Sequence, residues 1–291
     1  MSNTIGDGVY REEWEIKLQE RLAYETNWKM VCDVVMTNSK RVNIPYMATT
    51  PAAASLARDT YFTWSDNALT NEYIDIATPF KVATTIDLAD LAQCSYEQQM
   101  TYADIFGQEL NEQVEYAFLG DYANLADFDN GVVTANATDS VNITVGTDNI
   151  DDIVGAMKRE ITEANGDVLA DRNGTFIIWR APDFEKLESW ARSNGYNTAD
   201  DILINGIKVG MRYLGVEHYR SNKHTAGHIV GGVKKLYKIG ILNTTYGKVD
   251  IVPFPVTTGN LYSVGIASRI DYGLKAPYNF KSTLLFDIQV N

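Results

Sequence analysis

The chain has 291 residues, 45% of them hydrophobic, with 25 Lys+Arg against 38 Asp+Glu and a formal net charge of −13. That is enough apolar material for the core of one large domain or two small ones, and it excludes a disordered polymer. No stretch approaches the ~18 apolar residues of a membrane span, and MSNTIGDGVYREEWEIK lacks the basic start and apolar run of a signal peptide, so a cytoplasmic chain is expected. Cys32 and Cys94 fall in no metal or redox spacing, which leaves buried or idle thiols. The acidity is localised: from Lys81 to Lys158 there is no base between the two lysines, while 14 acids run from Asp87 to Asp152. Such a chain repels duplex DNA, because non-specific affinity comes from Lys and Arg displacing counterions.

In chain order, Arg11–Thr26 places Trp14, Leu18, Leu22 and Ala23 at helical spacing and reads as a short amphipathic arm. Lys29–Thr37 and Arg41–Met47 turn to period two and predict strands. Between them and the strand-like Glu72–Ala77 and Phe80–Ile86 lies a long aperiodic stretch, which is awkward inside a compact domain. An extended two-stranded hairpin resolves it, its tip at Ala52–Asn67 carrying Arg58, Tyr61, Phe62 and Trp64 against a neighbouring molecule. Ser95 and Gln98 have the form of a capping box, and Met100, Ala103, Phe106, Leu110, Val114 and Ala117 then recur at steps of three and four. This predicts a long helix to about Tyr122, with Glu109, Glu112 and Glu115 as a row of like charges on its polar side.

Asp148 caps a second helix whose stripe is Ile150, Ile153, Val154, Met157 and Ile161, stopped by Asn165-Gly166. Gly174–Trp179 follows as a buried strand and Pro182 opens a third helix that ends at Asn194-Gly195. Beyond Ile202 the pattern is of strands: Ile207–Gly215, Ile229–Gly231, Leu236–Leu242, Lys248–Pro253, Leu261–Ile266 and Thr283–Val290.

Catalytic spacings are missing: no nucleophile elbow, zincin helix, dinucleotide fingerprint or phosphate loop. His218, His224 and His228 fall close together in a glycine-containing basic stretch and read as surface-loop histidines, with a metal cluster as the alternative. Asp127–Gly131 has the start of a calcium loop, but its glycine comes one position early and no closing Glu follows, so a turn is expected. Lys208–Lys248 carries eight bases, including Lys234 and Lys235, against the single acid Glu217. An acidic stripe and a basic stripe in one chain suit copies that meet patch to patch, although a solvated basic face reads the same way. On the first reading, reversing Glu109, Glu112 and Glu115 to Lys leaves the subunit folded and disturbs assembly.

The order of elements, and the texture of KRVNIPYMATTPAAASL, TNEYIDIATPFKVATTIDLADLAQCSYEQQMTYADIFGQELNEQVEYAFLGDY and GTFIIWRAPDFEKLESWAR, resemble the major capsid proteins of tailed phages, which have the Hong Kong 97 phage capsid fold. The resemblance is one of architecture over essentially the whole chain. It implies an α+β fold with residues 1–27 as an N-terminal arm, 28–146 as extended loop (Asn38–Thr84) and peripheral domain with a spine helix (Ser95–Asn124), 147–249 as a mixed α/β axial domain, and 250–291 as strands returning to both. The implied function is self-assembly, through hexamers and pentamers, into an icosahedral shell that encloses double-stranded DNA without reading its sequence. The expected location is the virion, after assembly in the host cytoplasm, with no catalysis, cofactor or membrane. Because the chain begins at the arm, with no long scaffolding extension, a separate scaffolding protein is expected, with a portal and decoration or cement proteins as further partners. Expected assembly contacts are Arg41, Arg58, Tyr61, Phe62 and Trp64 on the loop, Glu109, Glu112 and Glu115 on the helix, and Lys234 and Lys235 in the basic stretch. Two alternatives stand beside this reading: an encapsulin-like compartment shell, and a soluble α/β enzyme using the His218–His228 region.

Overall fold

The computed structural model describes residues 26–47, 69–87, 96–127, 149–193, 211–213, 215–253, 263–277 and 284–289. The arm helix expected at Arg11–Thr26 and the hairpin tip at Ala52–Asn67 therefore lie outside the described residues, Thr26 excepted.

The described chain starts with a helical turn, α1 (Asn27–Val31), followed by strand β1 (Asp33–Thr37). The period-two pattern makes Lys29–Thr37 one strand; its first part is helical instead. Trp28 and Val31 are both buried while Met30 between them is exposed, and a helical turn is what brings positions three apart to one side. β2 (Arg41–Met47) and β3 (Leu69–Asp75) then pair antiparallel, from Arg41↔Asp75 to Met47↔Leu69, as a two-stranded sheet of their own. At the root of this hairpin Ile74 and Ile76 are buried, and the Ile76 N–H donates to the Lys40 carbonyl at 2.8 Å.

β4 (Thr78–Asp87) runs antiparallel along β12 (Ser263–Lys275), from Thr78↔Tyr272 to Asp87↔Ser263. The opposite edge of β12 is shared end to end by β10 (Lys238–Leu242) and β11 (Val249–Pro253), and β1 joins β10 in parallel. Gly240 of β10 and Gly273 of β12 face each other across this sheet, directly beneath the hairpin root. A Cβ on Gly273 would stand 2.3 Å from the Asp75 carbonyl oxygen, so only glycine admits the crossing. β12 is twice the length of the predicted Leu261–Ile266, because its Gly and Asp positions break the alternation that marks a strand in sequence.

The long helix, α2 (Tyr96–Gly120), packs against β4 and β12. It buries Phe106, Leu110, Val114 and Phe118 at steps of four, and also Asn111, Glu115 and Leu119 one position further on. It stops two residues short of the predicted Tyr122, which opens a 3₁₀ turn (Tyr122–Asn124) leading into β5 (Ala126–Asp127).

A second sheet has the order β5-β13-β9-β6-β8-β7. Its members are β6 (Thr175–Arg180), β7 (Met211–Tyr213), β8 (Val216–Ser221), β9 (His228–Val233) and β13 (Leu285–Gln289). α3 (Asn149–Glu163) buries Ile153, Val154, Met157 and Ile161 as the spacing predicts. Asn165 provides the predicted stop in the left-handed region, with φ of 57°. A short helix that the pattern does not announce, α4 (Asp167–Asn173), follows with Val168 exposed. α5 (Ala181–Ser193) covers β6 and β8 with Phe184, Leu187 and Trp190. β6, central in the sheet, is buried from Thr175 to Trp179 on both faces, which explains its unbroken apolar run. Both sheets and α2 contribute to one continuous core, around Trp28, Phe118, Trp179, Tyr237 and Phe286.

Candidate functional site

The acidic row on α2 splits into three environments. Glu109 is exposed and accepts only from Gln113 Nε2 of its own helix, at 2.9 Å, among the bonds described. Glu112 pairs with Lys223 across 2.7 Å and also accepts from Gln108; the Lys223 hydrogen bond holds its carboxyl below the usual range. Glu115 is buried, at 6% exposure, against the start of α1 and the end of β8. The picture of three solvated like charges therefore needs correcting at Glu115, which belongs to the packed flank of the helix. Two apolar residues complete the outer face: Ile105 and Tyr116 are each 52% exposed, and with Glu109 and Glu112 they follow the steps four, three and four of a single stripe. That spacing is legible in the sequence once the stripe is drawn through the acids instead of through the core.

On the hairpin, the Arg41 guanidinium bonds Asp75 at 2.7 Å and lies 4.0 Å from the centre of the Tyr73 ring. Both partners of the ion pair are largely exposed, so solvent screens it. Arg58, Tyr61, Phe62 and Trp64 lie outside the described residues. In the basic stretch Lys234 is buried, where it pairs with Glu217 and donates to the Tyr219 hydroxyl at 2.6 Å. Lys235 is exposed, with a left-handed φ of 59° and its backbone N–H donating to the Val31 carbonyl at 2.6 Å. Lys238 pairs with Asp33. Several of the clustered bases are thus engaged with acids of the same subunit; a solvated basic face describes them poorly.

Two of the three histidines lie in strands, and only His224 lies in the connection between β8 and β9. His218 lies inside β8, 1% exposed, and its Nδ1 accepts a 2.8 Å bond from Trp179 Nε1. His224 has both ring nitrogens shielded from solvent, and burial together with the Arg180 guanidinium lowers its pKa to about 4. His228 bonds Asp287 at 2.9 Å and stacks on Tyr122. The three diverge into separate contacts because β8, the connection after it and β9 place them at different points. Among the described residues no group of three or more His, Cys, Asp or Glu is arranged to hold a metal ion, and no helix is long and apolar enough to cross a membrane.

A cleft of about 430 Å³ lies between α2, the start of α1 and the residues after β8, with Asn111, Glu112, Glu115 and Lys223 on its walls. Its polar groups are tied to one another: Glu112 to Lys223, and Glu115 to Asn27 and Ser221.

The whole arrangement matches solved shell proteins. The asymmetric unit of the mature capsid of bacteriophage PhiM1 superimposes with a TM-score of 0.59 at 12% identity, covering 92% of this chain and 88% of that one. The chain has the fold of a tailed-phage major capsid protein. A structure from Microbacterium phage Oxtober96 has the same fold, with a TM-score of 0.60 at 13% identity over 91% of each chain. A virus-like particle from Pyrococcus furiosus shares it too, at 0.57 and 10% identity, over 96% of this chain and 99% of that chain. No family model matches the sequence, and no curated protein matches it either.

Proposed function

We propose that this protein is a major capsid protein that assembles with copies of itself into an icosahedral shell around phage DNA. The observation that carries the reading is the near full-length superposition on the PhiM1 mature capsid subunit. On this reading the subunit is organised as in the Hong Kong 97 phage capsid: residues 1–27 form an arm, 28–146 the extended loop and a peripheral domain with α2 as spine, 147–249 an axial domain, and 250–291 the strands that return to both. The hairpin β2–β3 is a sheet separate from the two large ones, a poor arrangement for an isolated molecule and a good one for reaching a neighbour. Arg41 with Tyr73 on the hairpin, Ile105, Glu109 and Tyr116 on α2, and the exposed Lys235 are the contacts this reading favours, together with Arg58, Tyr61, Phe62 and Trp64 at the tip. Glu115 and Lys234 serve the inside of the subunit. A separate scaffolding protein, a portal and cement proteins are the further partners, and assembly takes place in the host cytoplasm.

Expression of the chain with its neighbouring phage genes, followed by negative-stain microscopy, tests the proposal: closed shells are the expected result, and a monodisperse 32.5 kDa species in low and high salt overturns it. A second reading, a compartment shell that holds protein cargo, is favoured by the match to the Pyrococcus furiosus particle. Nuclease-protected DNA inside purified shells supports the first reading, and co-purified protein without DNA the second.

A further inference from the structure

α1 is tied to the body by a small polar cluster. The Thr26 hydroxyl and Trp28 Nε1 both donate to Asn111 Oδ1, each at 3.1 Å. Asn27 Nδ2 donates to the Arg220 carbonyl at 2.8 Å and to Glu115 Oε1 at 3.3 Å. Ser221 Oγ accepts from the Lys223 N–H at 3.2 Å and bonds to Glu115. The carboxyl of Glu115 is thus buried at the point where α1, α2 and β8 meet, and the partners described for it are the neutral groups of Asn27 and Ser221.

The charged and titratable groups around it come from each neighbouring element. On α2, Glu112 lies one turn earlier and repels it. After β8, Lys223 attracts it but gives its 2.7 Å contact to Glu112. At the end of α1, the buried Cys32 thiol feels its charge. Arg220 lines the same cleft, with its guanidinium over Phe184. A carboxylate in this position loses hydration without gaining a contact ion pair among the described residues, and neutral donors offset only part of that loss.

We propose that Glu115 is a proton-operated latch on α1: the helical turn grips the body more firmly when the carboxyl holds a proton and loosens when it is charged. Burial, the largest influence on this group, raises its pKa above the ordinary glutamate value, outweighing the hydrogen bonds from Ser221 and Asn27 that lower it. The folded state therefore binds the proton more readily than the unfolded chain, and the stabilisation is present at low pH and lost as pH rises from the unfolded value through the folded one. Nearby Glu112, whose pKa is lowered, has the opposite sign. The latch is a property of the folded subunit and does not rest on the shell reading.

Hydrogen exchange of the backbone amides of residues 27–33, in the full chain at about pH 5.5 and about pH 7.5 and corrected for intrinsic exchange rates, reads the grip directly. Because His224 pulls global stability the other way, the local measurement is the decisive one. Protection several-fold higher at the lower pH is expected in the wild type, with the difference abolished in Glu115→Gln and kept in Glu112→Gln. Equal protection at both pH values in the wild type, or a pH dependence that survives in Glu115→Gln, overturns the proposal. Titration of the Glu115 carboxyl by NMR in the wild type gives a reading independent of any variant: a midpoint above the ordinary glutamate range supports the latch, and one at or below it overturns it.

Discussion

His224 shows how a single side chain ties stability to pH. Burial and Arg180 hold its pKa near 4, whereas an unfolded chain protonates histidine near 6.5. Between those values the unfolded state binds more protons, so stability is full above about pH 6.5 and is lost as pH falls through about 4, by roughly 3 kcal/mol in all. Urea unfolding at neutral pH and at about pH 4.5 should show this loss, and His224→Asn should shrink it. Lys234 is the second case. It is buried with Glu217 and Tyr219, and Lys234→Ala leaves a carboxylate without its ammonium, at an expected cost of roughly 3 kcal/mol. Thermal melts compared with Arg41→Ala check it: the exposed Arg41 pair should leave the melting temperature unchanged within error.

At the scale of elements, α2 has an outer face that is separable from its packed one. The triple reversal of Glu109, Glu112 and Glu115 is a poor probe of assembly, because Glu115→Lys buries an ammonium beside Lys223 and unsettles the fold itself. Glu109→Lys alone avoids this. It should leave the melting temperature within a degree or so, in line with the few tenths of a kcal/mol of a surface charge pair, while shell yield falls at low salt and recovers at high salt. Light scattering at two salt concentrations reads the outcome, and an unchanged yield in both removes Glu109 from the contact. The hairpin root is the other element-level feature. In Gly273→Ala the new methyl meets the Asp75 carbonyl, so β3 has to lift from the sheet; a loss of about 1–3 kcal/mol is expected in thermal melts, typical of overpacking.

Across the whole molecule, both sheets are closed by strands from the far end of the chain. β12 holds β4, β10 and β11 together, and β13 fills the place between β5 and β9. Leu285, Phe286 and Ile288 of β13 are 2% exposed or less. At about 1.5–3 kcal/mol for each buried side chain, ending the chain before Leu285 removes roughly 5–9 kcal/mol, comparable to the total stability of an ordinary domain. The truncated protein should be insoluble or lack a cooperative melt, and a soluble product with a normal melt would show that β13 is dispensable. Such long-range closure also makes folding depend on the completed chain, since strands of high sequence separation cannot pair until it is present.

Periodicity in the sequence determined the elements with a clean amphipathic rhythm. α2, α3, α5 and the hairpin strands were readable because one face of each is apolar at the period of its own geometry. β6 was readable because a strand buried on both faces is apolar throughout. The resemblance to capsid proteins was likewise legible from the order of these elements, without any short motif. What only the tertiary structure decided is where polar side chains go. The patterns of Glu115, Lys234 and His218 are those of surface residues, and each is buried because a partner from a distant segment is there to meet it: Asn27 and Ser221, Glu217, and Trp179. Local sequence records hydrophobicity and spacing, while a hydrogen bond between residues far apart in the chain exists only after folding has brought them together. That is why the histidines read as a loop and the acids as one row, and why the subunit has an acid at the latch that its own helix gives no reason to expect.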